Sequence, residues 1–123
     1  MRQIQTFFGV SAVYDFLLGL AFLIAPAYFF NLLNVTPPNH WGYVSFAAAM
    51  LVIFGIMFFQ IAKNPKGNQN LIPYGILLKI AYCAVVFGYN FFGSIPQIWV
   101  IFGYCDAIFL LLFMYSFVII KKN

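Results

Sequence analysis

Four apolar runs divide the chain, each near the 20 or so residues that an α-helix needs to cross the hydrocarbon layer of a bilayer. The first extends from about Phe7 to Ala25, where Pro26 ends or bends it. The second covers about Tyr43 to Ala62, the third about Leu71 to Phe92 and the fourth about Gln97 to Ile120. Polar, turn-forming segments separate them: Asn34-Val-Thr-Pro-Pro-Asn-His40, Asn64-Pro-Lys-Gly-Asn-Gln-Asn70 and the tight Gly93-Ser-Ile-Pro96. The last is short enough to predict antiparallel neighbours. A water-soluble fold cannot hide these runs. Of the 123 residues 65% are hydrophobic and 7% charged, against roughly 45–50% and about 25% in ordinary soluble domains. A chain of this size still exposes about a third of its unfolded surface. That excludes a soluble enzyme, a disordered tail and a disulfide-stapled secreted domain. The expectation is one all-α domain over residues 1–123: a polytopic integral membrane protein, built as an antiparallel bundle of four transmembrane helices.

Orientation follows from the basic residues. Arg2 precedes the first run, Lys63 and Lys66 lie between the second and third, and Lys121 and Lys122 follow the fourth. The connections Asn34–Gly42 and Gly93–Pro96 hold no lysine or arginine, so five of the six positive charges fall on one side. The positive-inside rule then puts both termini in the cytoplasm, an N-in/C-in topology. The net charge of +4 is accordingly a topology signal. Without a basic stripe or an arginine cluster it gives no reason to expect nucleic acid as a partner. Arg2, the first run and Ala25-Pro-Ala27 superficially resemble a secretory signal, but the run exceeds a signal core of about 7–15 residues and is read as a retained helix.

Metal and thiol chemistry find little support. Cys83 and Cys105 both sit inside apolar runs and form no Cys-x-x-Cys pair, so they read as buried structural thiols. His40 is the single histidine, which leaves no pair to clasp a haem and no metal-ligand cluster. With Trp41 and Tyr43 it belongs at the outer water interface, where amphipathic rings are favoured. No metal is expected.

Asp15, Lys79 and Asp106 lie within the runs, and the two aspartates are the only acids in the chain. Each ionisable group near a bilayer centre costs about 2.5–3.5 kcal/mol, so three cost on the order of 8–10 kcal/mol unless they face one another. At 1.5 Å per residue, Asp15 and Lys79 each lie about 12 Å in from the cytoplasmic side and Asp106 about 21 Å in. An Asp15–Lys79 pair with Asp106 nearby is therefore expected. Tyr14, Tyr82 and Tyr104 accompany the three, and their hydroxyls could donate to a buried carboxylate. Such a cluster fits a salt bridge that fixes helix register, a pocket for a polar head group, or a proton relay. The small residues Ala81, Ala84 and Gly88, and Ala47 to Ala49 with Gly55, predict close helix approach. The phenylalanines are too evenly spread to mark a cofactor box.

Gly19-Leu-Ala-Phe-Leu in the first helix, a proline-containing outer loop and the step Gly75-Ile-Leu-Leu-Lys79 resemble the DoxX-like group of small four-helix bacterial membrane proteins. The layout covers nearly the whole chain. The resemblance implies an accessory redox or quinone-facing subunit of the bacterial cytoplasmic membrane. The function expected is binding of a quinone-like head group by Asp15, Lys79, Asp106, Tyr14, Tyr82 and Tyr104. Lys79 would donate to a ligand oxygen, and Asp15 would keep Lys79 charged. No prosthetic group is expected beyond a bound quinone or lipid, and no catalysis by the chain alone. Its partners would be the bilayer, a lipophilic small molecule, and membrane subunits or a second copy. The rival expectations are a proton-coupled small-molecule transporter and a purely structural membrane subunit.

Overall fold

A computed structural model describes residues 2–122, and among them every regular element is helical. Helix α1 spans Arg2–Ile24, α2 Pro26–Leu32, α3 Gly42–Lys63, α4 Ile72–Phe92 and α5 Gln97–Lys122, with a single 3-10 turn, Gln69–Leu71, leading into α4. The four long helices, α4 counted with its leading turn, are long and apolar enough to cross a membrane. This is the make-up of a multi-pass membrane protein. Large apolar side chains such as Phe46, Phe91 and Phe92 stand exposed on the outside. That is costly in water and expected where the surroundings are hydrocarbon.

Two boundaries differ from the sequence reading. Helix α1 begins at Arg2 and not at Phe7, because Ile4 is buried beside Phe8 in the core and nothing before Phe7 breaks the helix. Beyond Pro26 the chain continues as α2, which sequence reading left without structure. Proline is tolerated at a first helical position, where its missing N–H would have no partner anyway. Helix α2 is closed off two residues beyond Leu32 by Asn34, whose φ of 57° lies in the left-handed region, and the Val35 N–H reaches back to the Phe30 carbonyl at 2.9 Å.

The loops are held as well. Asn68 Nδ2 donates to the carbonyls of Gln60 and Asn64 at 2.9 and 3.1 Å, adding to the backbone N–H bonds that these carbonyls accept at the end of α3. At its other end, the Gly42 N–H donates to His40 Nδ1 at 2.9 Å. His40 thus acts as a cap on α3.

Helix α1 packs most closely on α3, and α4 on α5, whereas α3 and α4 scarcely touch. The close contact of the first pair needs glycine. A β-carbon on Gly19 would lie 2.7 Å from the Ala48 carbonyl oxygen, and one on Gly55 2.9 Å from the Phe16 nitrogen. The alanine and glycine stripe expected to pack on α4 does not do so. Ala81 and Ala84 are exposed, and a β-carbon on Gly88 would meet nothing within 4 Å. Two apolar clusters result. Ile4, Phe8, Phe58, Ile61, Ile72, Phe113 and Ile120 form one, with the Phe8 and Phe113 rings stacked at 4.3 Å. Phe22, Phe30, Val35 and Ala48 form the other, joined by Trp41 and Trp99. The ionisable residues lie between them.

Candidate functional site

Asp15 on α1, Lys79 on α4 and Asp106 on α5 converge. Lys79 Nζ donates to Asp15 Oδ2 at 2.8 Å and to Asp106 Oδ1 at 3.0 Å. The lysine is 0% exposed, Asp15 1% and Asp106 6%, so the pairing is buried within the bundle. The third N–H faces rings: Nζ lies 5.2 Å from the centroid of Phe109, 5.4 Å from Phe58 and 5.7 Å from Tyr14. Ring faces are negative and attract a desolvated ammonium. Lys79 is therefore satisfied on every side by protein.

Counting residues from the helix ends put Asp106 about two turns further in than Asp15. The structure nonetheless brings both carboxylates within reach of one lysine.

Two members of the triad form the floor of a cavity of about 500 Å³. Asp15 and Asp106 line it, and Lys79 stands behind them. Lys79, expected to donate to a ligand, does not line the cavity, and its ammonium bonds to Asp15 and Asp106. Tyr14 also lines the cavity, and its buried Oη has no hydrogen-bond partner. Tyr82 lines it too, with its hydroxyl committed to the Trp99 carbonyl at 3.1 Å. Among the described residues no tyrosine hydroxyl bonds to either carboxylate, contrary to expectation. Tyr104 does not join the others. It is 61% exposed, with its ring 5.3 Å from that of Phe87, because two residues before Asp106 is the opposite side of a helix.

Sequence reading missed the aromatic wall. Tyr14, Phe102, Trp99, Phe22 and Phe30 form a continuous run of rings with centroids 5.8–6.3 Å apart, from the triad into the far cluster. The signal was available: Trp99, Phe102 and Asp106 follow i, i+3, i+7 spacing on one face of α5, and Asp15 and Phe22 do so on α1. Reading the aromatics as evenly spread ignored which face each occupied. Ser11, four residues before Asp15 on the same face, was missed as well. It is fully buried, and its Oγ has no partner.

The cavity is not closed to the outside of the bundle. Tyr43 and Ala47 of α3 and Ala81 and Val85 of α4 line it and are also exposed, where these two helices stand apart. A lipophilic molecule could slide in sideways and meet rings, then carboxylates. Comparison with protein-family models, curated proteins and solved structures found no match for this chain.

Proposed function

We propose that this multi-pass membrane protein takes a lipophilic small molecule from the bilayer through the gap between α3 and α4. The cavity floor of Asp15, Asp106 and Tyr14 then holds its polar head. The observation that carries the reading is the cavity itself: about 500 Å³, walled by hydrocarbon and rings, and ending on buried polar groups. Small-molecule sites typically have such a volume and a few convergent polar groups in an apolar lining.

In this reading the helices cross antiparallel with both termini cytoplasmic. The shared cluster of Ile4, Ile61, Ile72 and Ile120 supports that, because it gathers the helix ends carrying Arg2, Lys63, Lys121 and Lys122. The resemblance to the DoxX-like group makes an accessory subunit of a quinone-linked complex in the bacterial cytoplasmic membrane one setting for such a binder. A quinone oxygen would then accept from Tyr14 Oη, and the redox chemistry would belong to a partner subunit.

Native mass spectrometry of gently solubilised protein tests the reading, with wild type beside Ala81→Trp. The alanine is exposed at the cavity edge, so an indole there fills the gap without disturbing the core. A lipophilic mass bound to wild type and absent from the variant is expected. Equal occupancy in both, or none in either, overturns the proposal.

One observation favours a second reading. Two acids share one base, so the triad holds one negative charge in excess when all three are ionised. A proton-coupled transporter would use that excess to take up and release a proton. Proton uptake by vesicles carrying wild type, abolished by Asp106→Asn, would support it; unchanged uptake would remove it.

A further inference from the structure

The binding reading leaves the chemical class of the ligand open, and the charges around the cavity bear on it. Two carboxylates line the floor, and no lysine, arginine or histidine lines any wall. The one base nearby, Lys79, lies behind the carboxylates with its N–H groups turned to them and to rings. A ligand entering from the bilayer therefore meets negative charge that Lys79 offsets only in part. It reaches that charge along Phe22, Trp99 and Phe102, whose ring faces attract cations. A proton alone could neutralise the excess, but a proton needs neither a cavity of this size nor an aromatic wall. An anionic head would be repelled. A neutral quinone has oxygens that accept hydrogen bonds, and the ionised carboxylates on the floor have none to donate to it.

We infer that the ligand of this cavity is a lipophilic organic cation, an alkylated amine or ammonium. Its positive centre rests against Asp106 and Asp15, and its hydrocarbon lies along the Phe22–Trp99–Phe102 wall. This deepens the binding reading and rests on it. The pairing places a desolvated charge beside opposite charge, where the attraction is strongest and a neutral competitor gains least.

The test uses the full chain in nanodiscs of zwitterionic phosphatidylcholine, with tritiated tetraphenylphosphonium as the cation and decylubiquinone as the neutral lipophile. Saturable binding of one cation per chain is expected, displaced by dodecyltrimethylammonium and not by decylubiquinone. Asp106→Asn should weaken it by about tenfold or more, and Phe102→Leu by about fivefold. Helical circular dichroism and gel filtration would establish that each variant is folded. The comparison of the two probes on wild type decides the matter even if a variant fails to fold. Decylubiquinone binding without cation binding overturns the cationic class and leaves the lipophile reading standing. Binding of neither overturns both.

Discussion

Lys79 holds both buried carboxylates of this bundle at once. Removing it strands two buried carboxylates, whereas removing one carboxylate leaves a lysine–aspartate pair intact. Breaking a buried pair from the side that leaves charge uncompensated costs about 3–5 kcal/mol, while replacing the whole group by apolar residues is often neutral. Lys79→Met should therefore lower the melting temperature sharply, Asp15→Asn by much less, and Lys79→Met with Asp15→Leu and Asp106→Leu should recover most of the loss. Thermal unfolding in detergent, followed by circular dichroism, checks the order. A Lys79→Met protein that melts like wild type would mean the triad carries no structural weight. The three ionisable residues were legible in the sequence because an unpaired charge in an apolar run is too costly to keep. The roles of the tyrosines were only partly legible. Tyr104, two residues before Asp106, is assigned to the opposite side of its helix by counting alone, whereas Tyr14 lies about 100° around from Asp15 and only packing turns its ring inward.

At the scale of elements, the four long apolar runs announced four helices, and the structure has them with ends shifted by a few residues. What the runs could not announce was which small residues sit at contacts. Every long helix here is apolar nearly all round, so hydrophobicity alone marks no inner face, and a glycine such as Gly55, on a helix without an ionisable residue in its middle, looks like one on an outer face. Contact geometry separates them. At Gly55 a β-carbon would press on the backbone of Phe16, which cannot swing aside, while at Gly88 it would meet open space. Gly55→Val is expected to part α1 from α3 and destabilise by about 1–3 kcal/mol, as overpacking does. Gly88→Ala should be neutral, or stabilising by up to about 1 kcal/mol from helix propensity. The same melts measure both, and equal effects at the two sites would contradict the packing described. Helix α2 escaped the sequence reading for a related reason. A proline after an apolar run signals a stop, and nothing local tells a stop from a proline that starts the next helix.

At the scale of the whole molecule, topology and the position of the cavity stand or fall together. The cavity is lined by the first turns of α3 and α5 but only by the middle of α4, so it belongs to the end of the bundle that carries Trp41 and Trp99. The lysines at the ends of α3 and α5 lie at the opposite end. If basic residues are retained on the cytoplasmic side, the cavity lies in the outer leaflet half of the protein. A ligand would then be taken from, or delivered to, that leaflet. Single cysteines introduced after replacing Cys83 and Cys105 with serine locate the two ends. Asn39→Cys and Ser94→Cys should react with a membrane-impermeant maleimide added to intact cells. Asn70→Cys, beside Lys66, should react only after the membrane is opened. All three positions are exposed, so a failure to label reports sidedness and not burial. The reverse pattern would place the cavity on the cytoplasmic half and the basic ends outside. The ligand would then have to come from the inner leaflet, and the charge rule would have failed for a chain in which five of six basic residues obey one assignment.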